Sequence, residues 1–288
     1  VRDLVPFLKW VGGKRWMTWR HDWLFPSEYK CYFEPFLGGG AVLMHLQPRK
    51  AVIADLNVDL IEAYKAVKRD WRQIERLLAK HQRLHSHDYY YRIRATHFSE
   101  RTEEAARFIY LNRACFNGIY RVNLKGEFNV PKGSKDAIVL DDDDFGSISQ
   151  VLRKCQIVAQ DFEETIAMAG RGDFVFVDPP YTVKHNNNGF IKYNQDLFAW
   201  ADQVRLRDCI KDAVYRGAYV LLTNANHSSV RDLYRNLGAM HQLDRASILS
   251  ASSLHRRLSS ELAITIGYSA MEPSSAAISR VRAAQAVR

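Results

Sequence analysis

Phe174-Val175-Phe176-Val177-Asp178-Pro179-Pro180-Tyr181 is the stretch on which the reading of this chain turns. A short apolar run of aromatic and β-branched residues makes a strand, and two successive prolines cannot continue a sheet ladder, so the strand stops at Asp178. Working outward, further strand candidates lie at Lys30–Phe33, Ala51–Ala54, Gln156–Ala159 and Tyr219–Thr223, each bounded by turn or charge signals. Helix-like stretches separate them, notably Leu197–Tyr215, and this alternation implies an α/β fold with a mostly parallel sheet covered by helices. Two last strands, near Gln242–Ile248 and Glu261–Tyr268, are placed to form an antiparallel edge.

Between the second and third strands the pattern changes. Leu60, Tyr64, Val67, Trp71, Ile74 and Leu78 recur at steps of three or four, so Asp59 to Leu84 reads as one amphipathic helix. Thr102 can cap a second helix over Thr102–Asn112, with Glu103 and Glu104 in the first turn, where the helix dipole favours acids. Asn117-Gly118 and Lys125-Gly126 then flank the alternating run Ile119–Asn123, which fits a β-hairpin. The expected organisation is a core of residues 1–56 and 151–270, split by an inserted, mostly helical segment of residues 57–150 that carries the hairpin. Residues 271–288, rich in small side chains, read as a frayed tail.

Composition narrows the class. With 288 residues, 47% apolar and 25% charged, the chain can bury a large core and is neither disordered nor fibrous. No apolar run approaches the roughly 20 residues of a spanning helix, and the first residues lack a signal-peptide core, so the expectation is a cytoplasmic protein without membrane association. Cys31, Cys115, Cys155 and Cys209 lack the close pairing of zinc or redox sites and read as reduced thiols, with no metal site. Lys plus Arg (41) exceed Asp plus Glu (32), pointing to a polyanionic partner. Six bases against the single acid Glu127 lie between Arg107 and Lys135, a stretch that either tracks a phosphate backbone or forms a solvated basic face. Asp141–Asp144 suit a helix N-terminus better than a calcium loop, and His81, His85 and His87 read as a solvated helix end. Arg256-Arg257 is either a phosphate contact or solvated.

Two constellations carry chemistry. Glu34-Pro35-Phe36-Leu37-Gly38-Gly39-Gly40 follows a strand and opens a helix, where open α/β sheets bind ligands, and the next strand ends on Asp55, 21 residues beyond Glu34. An acid at that place can accept both hydroxyls of a ribose, so the pair fits a nucleoside-containing cofactor, and no P-loop points to a nucleoside triphosphate. Alone, the turn could equally be structural. At the other site, the Asp178 carboxylate and a proline carbonyl can together accept the hydrogens of one exocyclic NH2, which aims the nitrogen lone pair at an electrophile. Tyr181 would stack on a base turned out of a duplex. The plainer alternative is a turn-capping Asp178 with Tyr181 packed in the core.

These motifs, with Phe7-Leu8-Lys9-Trp10-Val11-Gly12-Gly13-Lys14, Asp55-Leu56-Asn57, the run from Asn112 to Pro131, and Phe190 with Tyr193-Asn194, occur in an order that resembles Dam-type, alpha-group (D12 class) DNA adenine-N6 methyltransferases from about Phe7 to Tyr268. The resemblance implies a Rossmann-like methyltransferase sheet with helices on both faces, S-adenosylmethionine as cofactor, double-stranded DNA as partner, and a monomer acting in a bacterial or phage-infected cell. It implies that Trp10, Lys14, Glu34, Phe36, Gly38, Asp55, Asp161, Phe162 and Asp178 line the cofactor site, and that Asp178, Pro179, Pro180 and Tyr181 form the catalytic loop. For DNA it implies Lys9, Phe116, Asn117, Ile119, Arg121, Asn123 and Pro131, with Arg121 reading a guanine of a GATC target and Phe116 and Asn117 entering the stack. Ile119 and Pro131 are implied to meet a thymine methyl and Lys9 the first guanine. Where some relatives place an aromatic downstream of Pro131 for the first base pair, this chain has Lys132, Gly133, Ser134 and Lys135.

Overall fold

The computed structural model describes residues 4–123, 125–183, 198–246 and 258–272. Among the described residues seven strands form a mixed sheet: β1 (Tyr32–Glu34), β2 (Ala51–Asp55), β3 (Cys155–Ala159), β4 (Phe174–Val177), β5 (Tyr219–Ala225), β6 (Ala239–Ala246) and β7 (Leu258–Ile266). Their order is β3-β2-β1-β4-β5-β7-β6, with the last two antiparallel as their sequence pattern predicts. The expected α/β class and antiparallel edge are therefore present. The chain divides into two compact units, residues 1–20 with 37–160, and residues 21–36 with 161–288.

In the first unit β2 and β3 pair in parallel, Ala51 opposite Cys155 through Asp55 opposite Ala159. The helices around this pair are α1 (Arg15–Arg20), α2 (Ala41–Leu46), α3 (Val58–Leu84), α4 (His87–Ala95), α5 (Arg101–Ala114) and α6 (Phe145–Arg153). Asn57 caps α3, its side chain accepting the Leu60 N–H, and Asp59 lies in the first turn. The single long helix read from periodicity is interrupted at Asp70 (φ −144°, ψ 67°), whose carboxylate accepts the Gln73 N–H and so restarts the helix. Glu100 caps α5 by accepting the Glu103 N–H, while Thr102 lies inside the helix and is buried. Asp144 caps α6, as the acidic run suggested, through the Ser147 N–H. Phe7 packs edge-on against Tyr64 at 4.8 Å and against Phe145 at 5.7 Å, joining the N-terminal segment to α3 and α6.

Two further expectations for this unit are overturned, and a third is met only in part. The hairpin expected around Ile119–Asn123 is short: Val122 bridges Phe128, with the Asn123 and Asn129 N–H groups donating to the Glu127 and Arg121 carbonyls on either side, and Cys115 bridges Lys132. Asn123 closes its turn, its side-chain oxygen accepting the Lys125 and Glu127 N–H groups. His81 is not a solvated helix end: it is buried, stacks on Tyr110 at 4.6 Å and bonds the Tyr89 hydroxyl through Nδ1. Burial pulls its pKa down to about 4. His85 is likewise engaged, with the Tyr110 hydroxyl and Asp136. Of the basic stretch, Arg107 and Arg113 are buried structural groups; Arg113 grips Asp143 through both terminal nitrogens at 2.6 Å and donates to the Phe7 and Ile138 carbonyls.

In the second unit β1, β4 and β5 are parallel, Tyr32 opposite Phe174 opposite Tyr219. Helices α7 (Phe162–Ala167) and α8 (Trp200–Tyr215) pack on each other, α8 also covers β5, and α9 (Ser228–Leu233) follows β5. All four residues of β4 are buried. The four cysteines are free thiols, and burial pushes Cys115 and Cys209 up to about 11. Among the described residues no helix is long and apolar enough to cross a membrane, and no group of His, Cys, Asp and Glu could hold a metal ion.

Candidate active site

β4 delivers Asp178 at its carboxyl end, and the next two strands of the sheet, β5 and β7, hold Asp178 and the loop that follows. Thr223, on β5, donates its hydroxyl to Asp178 Oδ1 at 2.7 Å. The Tyr181 hydroxyl donates to Oε2 of Glu261, on β7, at 2.7 Å. Burial, with the Asp178 and Glu261 carboxylates close by, holds the Tyr181 phenol well above its ordinary range, so it stays a neutral donor. The two residues between these bonds are prolines, whose rings fix φ and stiffen the loop. Neither Thr223 nor Glu261 emerged from the sequence reading. A lone acid directly before the mostly apolar stretch Leu262–Ile266 and a hydroxyl directly after the apolar run Val220–Leu222 were the available signals.

The same unit holds an aromatic cluster. Phe36, just past β1, stacks on Phe162 with centroids 5.4 Å apart and meets Phe198 edge-on at 5.7 Å. Asp161 caps α7 through the Glu163 N–H, and both its carboxylate oxygens are gripped by Arg205, whose guanidinium lies 4.2 Å over the Phe162 ring. Glu34 is buried at the end of β1.

In the first unit the glycine turn is stitched to β2. Leu37 N–H donates to the Ala54 carbonyl, and Asp55 accepts the Gly38 N–H on one oxygen and the Asn57 N–H on the other, each at 3.0 Å. Gly38 has φ +46°, and a Cβ there would stand 2.7 Å from the Trp10 indole, so the turn and Trp10 touch with no room for a side chain. Burial raises the Asp55 carboxyl above the usual range, opposed by the Asn57, Gly38 and Leu56 amides. Lys14, also predicted here, is buried and donates to the Gly12 carbonyl at 2.8 Å.

The remaining predicted residues gather after α5. Asn112, buried at its last turn, acts as a peptide-like bridge: its Oδ1 accepts the Lys9 N–H at 2.9 Å and its Nδ2 donates to the Lys9 carbonyl at 2.7 Å. The Lys9 ammonium donates to the Arg113 carbonyl, and burial, with Lys135 and Arg113 near, lowers its pKa. Phe116 and Asn117 project to solvent, with Asn117 in the left-handed region (φ 55°). Arg121 is exposed and held by Asn129, whose side-chain oxygen accepts the Nε–H at 2.7 Å. Asn123 faces its own turn and Glu127, Ile119 is half-buried, and Pro131 is exposed.

Comparison with known proteins decides what this assembly is. The family model of D12 class N6 adenine-specific DNA methyltransferases matches residues 10–249. The chain belongs to that family.

Among its relatives, the Type II methyltransferase M1.LlaDCHI of Lactococcus lactis subsp. cremoris is 39% identical, over 91% of this chain and 95% of that one. The Type II methyltransferase M.MjaIII of Methanocaldococcus jannaschii is 36% identical over 77% and 85%, and the DNA adenine methylase of Haemophilus influenzae 31% over 80% and 82%. As a D12 class enzyme the chain transfers a methyl group to adenine in DNA, and the family implies S-adenosylmethionine as the donor. Within each unit the residues present fit part of such a group: in the first, the Asp55 carboxylate at a strand end beside a glycine turn suits a ribose, and in the second, the planar aromatics Phe36 and Phe162 suit a nucleobase. Phe190, Tyr193-Asn194 and Arg256-Arg257, which the sequence also singled out, lie outside the described residues.

Proposed function

We propose that this D12 class enzyme methylates adenine N6 at GATC in duplex DNA, acting on a base turned out of the helix, with S-adenosylmethionine as donor. The donor supplies an electrophilic methyl; everything else is positioning. In the first unit Trp10, Lys14, Gly38 and Asp55 would hold the donor, Asp55 accepting ribose hydroxyls; in the second, Glu34, Phe36 and Phe162 would hold it, the two aromatics against its adenine moiety, with Asp161 held by Arg205. Asp178 and the Pro179 carbonyl accept the two hydrogens of the target NH2, which keeps electron density on nitrogen and directs its lone pair in line with the transferred carbon. The Tyr181 ring packs against the displaced base, and Pro180 keeps the loop stiff. Forming the N–C bond would break the donor's S–C bond and release it as a neutral thioether, and the extra proton on nitrogen would pass to solvent.

The observation that carries this reading is the anchoring of the catalytic loop from two strands, by Thr223 on Asp178 and Glu261 on Tyr181. Acceptors fixed in advance cost no reorganisation during the reaction. Residues 57–150 form the target-recognition part, with residues 1–56 and 151–270 as the catalytic part. Arg121 donates to O6 and N7 of a guanine, Ile119 and Pro131 meet thymine methyls, Phe116 and Asn117 fill the space the adenine leaves, and Lys9 and Asn123 flank the recognition loop.

Incubation of duplex DNA with methyl-labelled S-adenosylmethionine, followed by hydrolysis to nucleosides, tests the chemistry. The label is expected in N6-methyl-2′-deoxyadenosine, in GATC context. Asp178→Ala is expected to lower kcat by about 10²–10³-fold while DNA and donor still bind. Wild-type turnover in that variant, or label in another nucleoside, defeats the reading.

A further inference from the structure

Tyr120 has no role in the assignments above, yet it joins the target-reading loop to the donor pocket. Its ring stacks on Trp10, centroids 6.0 Å apart and planes 22° from parallel. Trp10 in turn lies against the glycine turn, so close that a Cβ on Gly38 would meet its indole at 2.7 Å. The Tyr120 hydroxyl donates at 3.0 Å to Asp59, in the first turn of α3, directly after the Asp55–Asn57 turn. Phe108 and Phe128 support the ring at 5.5 and 5.9 Å. One residue of the recognition loop thus touches both walls of the donor half-site.

The backbone connects this to specificity. Ile119 is extended (φ −74°, ψ 129°), and along an extended chain alternate side chains point to opposite sides. Anchoring Tyr120 inward therefore sets the direction of Ile119 and Arg121. A second tie runs through Asn112, which bonds both the Lys9 backbone and, at 3.4 Å, the Gly118 carbonyl, so Trp10 and the start of the loop cannot shift independently.

We propose that Tyr120 is a positioning residue that couples donor binding to the ordering of the recognition loop. A donor packed on Trp10 restricts the indole, the indole restricts Tyr120, and the loop loses freedom before DNA arrives. By linkage, a loop seated on DNA tightens the donor by the same factor. This inference rests on the reading of Trp10 as a donor contact.

Backbone hydrogen exchange of the full chain, with and without saturating S-adenosylmethionine, tests it without DNA. The reporters are the Asn123 and Asn129 amides, which donate to the Glu127 and Arg121 carbonyls. Donor is expected to slow their exchange in the wild type, and Tyr120→Leu to abolish that slowing and weaken donor affinity in calorimetry by about 2- to 12-fold, the worth of an aromatic pair. Unchanged exchange of the β2–β3 amides shows that the variant is folded. If Tyr120→Leu does not fold, Tyr120→Phe decides, since it keeps the stack but loses the Asp59 bond and is expected to reduce the slowing. A wild type that binds donor without slowing these amides, or a folded Leu variant (failing that, the Phe variant) that keeps the full slowing, overturns the coupling. Trp10→Leu separates the two failures: full donor affinity in that variant removes the donor contact itself, whereas loss of affinity there with wild-type behaviour in the Tyr120 variant removes only the coupling.

Discussion

Arg113 and Arg121 belong to one basic stretch of sequence, and the protein uses them in opposite ways. Arg113, at the end of α5, is sealed in the core with its fork closed on Asp143 and its remaining donors on main-chain carbonyls. Arg121, in the loop beyond, stands in solvent with Asn129 holding one edge of its guanidinium. The helix region is a buried polar scaffold, and the loop is a surface whose charge is available to a partner. A count of basic residues along the chain therefore overstates what DNA can meet and understates what the fold requires.

The comparison breaks most visibly at Arg113. Replacing it with Met leaves Asp143 buried without its partner, and removal of one member of a buried pair costs about 3–5 kcal/mol. Denaturant unfolding should show a loss of that size. A variant of wild-type stability but weakened DNA binding would place Arg113 on the surface side and erase the distinction.

A second buried group of the scaffold gives a pH signature. The pKa of His81 is pulled down to about 4 by burial and then by Lys80, and the Tyr89 and Tyr110 rings that face it carry no charge near neutrality. Because the folded value lies below the unfolded one, near 6.5, its contribution is complete above pH 6.5 and is lost as pH falls from 6.5 through 4. About 2–3 kcal/mol is at stake. Unfolding free energies measured at pH 7.5 and 5 should differ less in His81→Phe than in the wild type; an equal difference would mean that His81 protonates freely in the fold.

On the surface side, Arg121→Ala should leave stability within about 0.5 kcal/mol and weaken DNA binding by about 1–3 kcal/mol, with selectivity relaxed at one base position. A uniform loss over all sequences would make Arg121 a phosphate contact and the loop an electrostatic grip, not a reader.

What could be read in advance follows the same division. β4 and its loop were legible because an apolar run that meets two prolines has one local solution, and Asp55 because a strand end beside a glycine turn is a local pattern too. Asp144 as a cap was legible for the same reason. The fates of Arg113 and His81 were not, since Asp143 comes from the segment before α6 and Tyr110 from α5, and charge or periodicity does not say which distant group closes a pair. How short the hairpin around Val122 and Phe128 would be was not legible, because the Glu127 N–H is taken by the side chain of Asn123. Thr223 and Glu261 were invisible as partners of the catalytic loop until the strands were in register.

The smallest effect is the sharpest probe of the loop. Asn129 accepts the Arg121 Nε–H through its side chain at 2.7 Å, and its N–H donates to the Arg121 carbonyl at 3.1 Å, so a single residue sets both the backbone and the fork of Arg121. Asn129→Ala keeps the main-chain bond and removes only the side-chain acceptor. The guanidinium then keeps its charge but not its orientation. A neutral acceptor of this kind contributes about 0.5–1.5 kcal/mol, and the cost should appear as lost discrimination at the base Arg121 is proposed to read, with affinity for unrelated duplex and its salt dependence unchanged. If discrimination survives, the fork is oriented by the DNA itself, and the loop, unlike the core around Arg113, does not build its geometry beforehand.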